Sequence, residues 1–157
     1  MTQTQSQPLS LKARAVAALA RRDYSRTALA RKLAPFAASE AEVEEVLQDL
    51  IAKNLLSDQR FADALSRQRA RKYGAARILA ELQQHGLSDE IVQSQSAQLK
   101  ATEFDRALAA WQKRFGIPPQ SAKERAQQMR FLYVRGFSPE TFYRLEAQQF
   151  SPSDASA

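Results

Sequence analysis

The chain has 157 residues, a net charge of +6 and a pI near 9.9. A chain of this length forms one domain or a short array of small units, and it buries roughly 70% of its unfolded surface without covalent crosslinks. The sequence has no cysteine, which excludes disulfides, thiolate metal sites and a cysteine nucleophile. It has a single histidine, so a zinc site or a Ser-His-Asp triad would rest on that one residue. Its four glycines stand singly and form no phosphate-binding loop. We expect no metal, no cofactor and no catalytic residue.

The charge and the N-terminus suggest a location and a class of partner. No apolar run approaches the ~20 residues of a membrane span. The N-terminal MTQTQSQPLS lacks the basic and apolar regions of a signal peptide. We therefore predict a cytoplasmic protein without a membrane partner, and the excess of basic residues favours a polyanionic partner.

Alanine, leucine, glutamine, arginine and glutamate dominate, and the β-branched residues never alternate, so the composition predicts an all-α fold. Residues 11–22 have the pattern of a first helix. Ser25 can cap a second helix, whose apolar side is predicted to end with Phe36. The capping box Ser39–Glu42 begins a third helix.

The middle of the chain predicts three further helices. Ser57 or Asp58 caps the fourth, which is predicted to end near Gly74. The fifth ends at Gly86, where a left-handed residue is expected, and Ser88 caps the sixth.

The last part of the chain predicts a seventh, an eighth and a ninth helix. The seventh ends at Gly116, the eighth runs from a capping box at Ser121 to Gly136, and the ninth begins at Ser138. The aromatic stripe of the seventh is predicted to belong to the core rather than to a base-stacking surface: Phe104, Trp111 and Phe115.

The two segments HGLSDEIV and RGFSPETF, residues 85–92 and 135–142, align with an offset of 50. Nine helices then fall into three tandem three-helix repeats, each like a helix-turn-helix unit, stacked in a curved, elongated array. The predicted boundaries are a flexible tail at 1–10, repeats at 11–54, 55–100 and 101–148, and a flexible tail at 149–157.

Basic residues are concentrated in the segment RQRARKYGAARILAEL, residues 67–82. Those predicted to bind a partner there are Arg67, Arg69, Arg71, Lys72 and Arg77. The fifth helix begins just after Gly74, where free backbone N–H groups would offer a seat for phosphate. Comparable residues in the first and third repeats are Arg21, Arg22, Arg26, Lys113, Arg114, Lys123 and Arg125. This repetition predicts a basic stripe that would bind phosphates or a carboxylate surface.

The third helix carries acidic residues away from its apolar stripe, among them Glu40, Glu44 and Glu45. Nothing near them would raise a pKa for catalysis, so a solvated face is expected. Such a face could also dock on a basic protein or repel DNA.

Three segments resemble the RecX family, the regulatory proteins of the RecA recombinase. They are RRDYS...LARKLAPFA within 21–37, LLSDQRFADALSRQRARKYGAARILAELQQHG at 55–86 and WQKRFGIPP...RAQQMRFLYVRGFS within 111–138. The resemblance implies a non-enzymatic protein of tandem three-helix repeats that binds the RecA–single-stranded DNA filament. Such proteins block filament extension or promote disassembly, and they lower recombination, ATP hydrolysis and co-protease activity in DNA repair and the SOS response. Contact with single-stranded DNA is direct or through RecA, duplex DNA is a further partner, and a monomer suffices.

The resemblance also assigns residues. The family positions are Asp58, Arg60, Phe61, Arg71, Lys72, Gly74, Arg77, Leu82, Gly86, Arg135, Gly136 and Phe137. On physical grounds Gly74 and Gly136 are expected in turns and Phe61 and Leu82 in the core, which leaves the arginines and lysines for interaction. Ala28 departs from the family pattern, where a glutamate usually completes a capping box. This change is expected to weaken the start of the second helix by about 0.5–1 kcal/mol.

Two other classes of function remain open. A tandem helix-turn-helix regulator would read duplex DNA directly. The fifth helix argues weakly against this class, because outside its apolar stripe it offers mainly Ala75, Ala76, Ala80, Gln83 and Gln84. A structural adaptor without nucleic acid would bind its partner with little dependence on salt.

Overall fold

The computed structural model describes residues 8–150, and the predicted tail residues 1–7 and 151–157 lie outside them. Within the described residues the chain forms eight α-helices and no strand, so the predicted all-α class is confirmed. The helices are α1 (Leu11–Arg21), α2 (Arg26–Leu33), α3 (Glu40–Ala52), α4 (Asp58–Arg69), α5 (Ala75–Gln84), α6 (Asp89–Arg114), α7 (Ala122–Val134) and α8 (Pro139–Leu145). A 3-10 turn spans Ala34–Phe36, and a π-helical turn spans Glu146–Phe150. No helix in this part of the chain is long and apolar enough to cross a membrane.

Serine side chains begin most of the helices. The serine Oγ atom accepts a hydrogen bond from the backbone N–H three residues further on, which satisfies a donor that the helix itself leaves unpaired. This bond is made by Ser10, Ser25, Ser39, Ser57, Ser88, Ser121 and Ser138. At the other helix ends Gly86 and Gly136 have φ angles of 70° and 87°, as expected for left-handed residues. The caps predicted from sequence are therefore confirmed.

The predicted sixth and seventh helices are one helix, α6, of 26 residues. Residues 89–114 contain neither glycine nor proline, so nothing local interrupts the backbone hydrogen bonds. No breaking residue supported the predicted separation, and the predicted count of nine helices is wrong. The fourth helix is also shorter than predicted and ends at Arg69. The division into three repeats and the curvature of the array stay predictions.

The structure divides into two compact units, residues 8–62 and 63–150 within the described range. The core of the first unit is made by α1, α2 and α3, where Leu29, Leu33, Leu47 and Leu50 are fully buried. Phe36 was predicted on the apolar side of the second helix, but 56% of its surface is exposed. Pro35 lies in the 3-10 turn that follows α2, and the tighter winding of that turn moves Phe36 out of the stripe.

Two family positions of the first unit have structural roles. The backbone N–H of Arg26, at the start of α2, donates to Asp58 Oδ1 at 2.7 Å. A carboxylate from α4 therefore supports the helix start that Ala28 was predicted to weaken. Arg60 donates to the carbonyl oxygens of Asn54 and Leu55, at 3.2 and 3.1 Å, and so satisfies the chain just past α3.

The core of the second unit surrounds Trp111, of which 3% is exposed. Its indole Nε1 donates to Gln128 Oε1 at 2.7 Å, which pairs the only polar atom of the ring. The assignment of this residue to the core is confirmed. Phe150 packs on the indole with ring centroids 5.0 Å apart. The predicted tail at 149–157 therefore starts too early, because Gln149 and Phe150 belong to the π-helical turn that covers Trp111.

Candidate nucleic-acid interface

The first turn of α5 is already occupied by protein groups. The N–H of Ala75 donates to Glu103 Oε1 at 2.9 Å, and Thr141 Oγ1 donates to Glu103 Oε2 at 2.8 Å. The N–H of Ala76 donates to the carbonyl oxygen of Gly136 at 3.2 Å. The phosphate seat predicted there is therefore wrong. Residue 103 comes from a different helix, so the local sequence around the turn could not show that a carboxylate fills the position.

Gly74 lies against the backbone of Gly136. A Cβ atom added to Gly74 would lie 2.3 Å from the Gly136 carbonyl oxygen and 2.4 Å from the backbone nitrogen of Phe137. Gly74 lies in the turn between α4 and α5, as predicted, but its φ of −79° is one that any residue can adopt, so the backbone conformation does not require glycine there. Its hydrogen atom allows two backbone segments to touch, and its own N–H donates to Arg135 O at 2.7 Å.

This contact brings the α4–α5 turn next to the α7–α8 turn, and a depression of about 550 Å³ lies beside them. We call it the basic groove. The charged residues that line it are Arg71, Lys72, Arg77, Lys113, Arg114 and Arg135. No acidic residue is among the described residues that line it, and none of these six forms an ion pair within the described chain. The groove thus unites predicted candidates of the second and third repeats on one surface.

Aromatic rings support three of the guanidinium groups, among them that of Arg114, which lies 5.2 Å from the centroid of the Phe115 ring. Arg77 lies over the ring of Tyr73 at 4.0 Å, and Arg135 lies over the ring of Phe131 at 3.7 Å. Arg135 also donates to the carbonyl oxygen of Phe131 at 3.1 Å. A guanidinium stacked in this way keeps several N–H donors at its edge and loses less freedom on binding, which suits it to bidentate contact with phosphate.

Arg106 holds the turn that leads into the basic groove, a role that no local sequence pattern indicates. Its Nη1 donates to the carbonyl oxygens of Ala70 and Tyr73, at 3.4 and 2.5 Å. Burial lowers the pKa of this guanidinium from its ordinary value, although Glu103 acts in the opposite direction. Four oxygen acceptors satisfy the side chain, including Leu99 O and Thr102 Oγ1, so Arg106 positions the turn and is not offered to a ligand.

Several predicted binding residues lie elsewhere. Ion pairs within their own units engage Arg69 with Glu81, Arg125 with Glu146 and Arg26 with Glu44. Arg67 and Lys123 are exposed but do not line the basic groove. A guanidinium held by a carboxylate has part of its charge compensated before a ligand arrives, so these three arginines are weaker candidates than those without an ion pair, and their role in binding stays a prediction.

The Arg69–Glu81 pair makes stability depend on acid pH. Three hydrogen bonds of 2.9–3.1 Å join the two side chains, and Arg69 lowers the pKa of the Glu81 carboxyl. The stability from this shift is complete above the pKa of Glu81 in the unfolded chain and is lost as pH falls through the lower folded value. Both partners are about a third exposed, so we expect about 1 kcal/mol or less at neutral pH.

The measurement is a double-mutant cycle with Arg69→Met and Glu81→Gln, followed by chemical unfolding from pH 7 to pH 3. The interaction energy should shrink toward the acid end. An interaction energy that stayed constant over this range would contradict the assignment.

The first unit has a separate basic and aromatic cluster, which we call the aromatic seat. Arg14 lies 3.8 Å over the ring of Phe36, and Arg22 lies 4.1 Å over the ring of Tyr24. A depression of about 280 Å³ lies beside them, lined in part by Arg14, Arg21 and Lys32. The sequence prediction included Arg21 and Arg22 but missed Arg14, Lys32 and the exposed Phe36, whose proximity depends on packing between α1 and α2.

The field within the aromatic seat is positive. Arg22 beside the phenol lowers the pKa of Tyr24, and Lys32 acts in the same direction. Among the described residues that line the depression none is acidic. An exposed ring within a positive field is the combination with which proteins bind the bases and phosphates of single strands.

Together, the fold and the basic groove define an all-α protein of small helical units with a surface suited to a phosphate polymer. A family model described as the second three-helix domain of RecX matches residues 57–94, and one described as the third matches residues 101–145. The "Regulatory protein RecX" of Ralstonia nicotianae is 50% identical over 139 residues, which cover 88% of this chain and 87% of that protein. The protein of the same name from Neisseria gonorrhoeae is 41% identical over 84% of this chain and 86% of its own. The chain belongs to the RecX family.

Solved structures support the fold at greater distance. The crystal structure of RecX from Lactobacillus salivarius superposes with a TM-score of 0.76 and covers 87% of this chain and 92% of its own, at 17% identity. A second crystal structure, of a regulatory protein RecX, has a TM-score of 0.72 and 19% identity, and covers 88% of this chain and 74% of its own.

Proposed function

We propose that this protein is a non-enzymatic regulator that binds the RecA–single-stranded DNA filament in the cytoplasm and inhibits its extension and its activities. The family membership and the names of the relatives support a regulatory role, and the RecA target follows from the family resemblance. The observation that carries the proposal is the basic groove, in which six cations converge on one surface and no acid is among the described residues that line it. A groove of this kind neutralises successive phosphates of a strand and leaves the bases unread.

The test is the single-strand-dependent ATP hydrolysis of RecA, with the full chain added well below the concentration of RecA. We expect a strong loss of hydrolysis, because one molecule that stops growth or promotes disassembly silences many protomers. Full hydrolysis at equal concentrations of the two proteins would contradict the proposal.

The packing of α5 counts against the alternative of a duplex-reading regulator. In helix-turn-helix proteins the N-terminal residues of the recognition helix approach the base edges. Here Gly74 and Ala75 are buried at the corresponding end of α5, against Gly136 and Glu103. Footprinting would support the alternative only if the protein protected a defined site on duplex DNA.

The aromatic seat favours a direct contact with the single strand, in addition to contacts through RecA. Arg14 covers one face of the Phe36 ring, and the exposure of the ring leaves room for a base on the other. Stacking on an aromatic ring is worth about 1–3 kcal/mol per base, so Phe36→Ala is expected to weaken binding to a thymidine oligonucleotide by about tenfold without RecA.

Leu9→Ala is the matched control for Phe36→Ala. Leu9 lines the same depression and is 58% exposed, but its side chain cannot stack on a base. The control should bind like the unchanged protein. Equal losses in both variants would show that apolar area, not stacking, is responsible.

A further inference from the structure

The second unit has an apolar cleft between α7 and α8 that is separate from the basic groove. We call it the tyrosine slot, and the residues that define it are Met129, Arg130, Tyr133, Phe137, Pro139 and Tyr143. Its volume is about 370 Å³, enough for one bulky apolar side chain. The buried Phe137, Leu132 and Phe142 form its floor, so the slot opens directly onto the rigid core.

Two tyrosines at the rim remain exposed. Tyr133 is 64% exposed and Tyr143 is 50% exposed. Exposed aromatic side chains around an apolar depression are the residues that carry most of the binding energy in protein interfaces, together with arginine. A site for a small molecule would instead combine an enclosed cavity with several converging polar groups. The slot has an open rim and Arg130 as its one charged lining residue.

Arg130 indicates the charge of the occupant. It is exposed, and within the part of the chain that the structure describes it forms no ion pair, unlike Arg125 on the same helix. No acidic residue is among the described residues that line the slot. A complementary segment therefore places a carboxylate near Arg130 and an apolar side chain between the tyrosines.

One helix thus serves two surfaces. Phe131 and Val134 of α7, and Arg135 just past its end, line the basic groove, whereas Met129, Arg130 and Tyr133 line the slot. A partner that consists of protein and nucleic acid could use both at once.

We propose that the tyrosine slot is a protein-docking site for a segment with a bulky apolar side chain next to a carboxylate. The identification of the partner rests on the function proposed above, and this segment then belongs to a RecA protomer. The groove supplies the salt-dependent contact with phosphate, and the slot supplies the contact by which RecA, rather than any bound strand, is recognised.

The test uses the full chain with Tyr133→Ser and Tyr143→Ser together, and separately with Arg130→Glu. Affinity is measured for RecA free of nucleic acid and, in parallel, for a thymidine oligonucleotide. We expect each variant to lose at least about tenfold in affinity for RecA and to bind the oligonucleotide within about twofold of the unchanged chain. Ile117→Ser is the control, because Ile117 is 66% exposed and lies outside both surfaces.

Circular dichroism and the melting temperature establish that each variant is folded. If folded slot variants bind RecA like the unchanged chain, while the unchanged chain inhibits RecA, the docking proposal fails and the proposed function stands. If the unchanged chain neither binds nor inhibits RecA, both fail. Self-association in sedimentation that the tyrosine changes abolish would identify a second copy of the chain as the occupant, and that result also overturns the proposal.

Discussion

Gly74→Ala is expected to destabilise the second unit by about 3 kcal/mol. The added Cβ would lie 2.3 Å from the carbonyl oxygen of Gly136, and its nearest neighbours are backbone atoms that cannot rotate away. The two turns must separate, which breaks the hydrogen bonds from Gly74 N–H and Ala76 N–H. The measurement is urea unfolding followed by the fluorescence of Trp111, the single tryptophan, which is buried in the same unit.

Gly116→Ala is the control, because a glycine with a positive φ is usually expected to be the one that tolerates alanine least. Gly116 has a φ of +68°, which disfavours alanine, but a Cβ atom added there would lie no closer than 3.2 Å to another residue, at Gln112 O. The backbone strain there is worth about 1–2 kcal/mol, so Gly116→Ala should be the milder change. If Gly116→Ala destabilised the protein as much as Gly74→Ala, conformational freedom rather than close approach would explain both glycines.

Removal of four charges from the basic groove is expected to weaken binding to a single strand by on the order of 100-fold at 0.1 M salt. The variant carries Arg71→Gln, Lys72→Gln, Arg77→Gln and Lys113→Gln. Each phosphate contact contributes roughly −0.7 to the slope of log affinity against log salt, so the slope should flatten by about 3. Glutamine keeps much of each side-chain stem and its packing, which separates loss of charge from loss of contact area.

A second variant removes the same number of charges outside the basic groove. It carries Arg31→Gln, Arg67→Gln, Lys100→Gln and Lys123→Gln, all at exposed positions. If binding depends on where the charges lie, this variant keeps most of the slope of log affinity against log salt. This holds even though two of its residues, Arg67 and Lys123, were predicted from sequence to bind a partner. Equal flattening in both variants would show that net charge alone attracts the strand.

The variant that lacks four charges of the basic groove should also inhibit RecA less. A filament regulator that reaches the strand through the basic groove loses inhibition together with strand affinity. Retention of inhibition after loss of strand affinity would place the essential contact on RecA itself. The tyrosine slot variants would then test whether that contact is made by the slot.

Local sequence determined the helices and most of their ends. A serine followed by a helix-forming run, or a glycine after an apolar stripe, acts through hydrogen bonds and backbone angles within a few residues. Ser88, Ser121 and Gly86 could therefore be assigned without any tertiary information. The same rules correctly placed Trp111 in the core, because a stripe at helical spacing has to be buried.

Two predictions failed where they did not follow the local signals. The predicted boundary between the sixth and seventh helices had no local basis, because no residue in 89–114 breaks a helix. Phe36 was misplaced for a related reason, since the helical period was extended through a proline into a 3-10 turn.

Only the tertiary structure decided which charges are available to a partner. Arg69 and Arg71 look alike in the sequence, but Glu81 neutralises Arg69, and Arg71 lines the basic groove. Likewise the N-terminus of α5 looked free until Glu103, 28 residues away, proved to cap it. Long-range pairing of this kind follows from how helices pack, which the period of the apolar residues constrains only to a face and not to a particular partner. The sequence by itself therefore determined most helix ends, most of the core and the sign of the surface charge, and the packing of α5, α6 and α7 determined which cations line the basic groove.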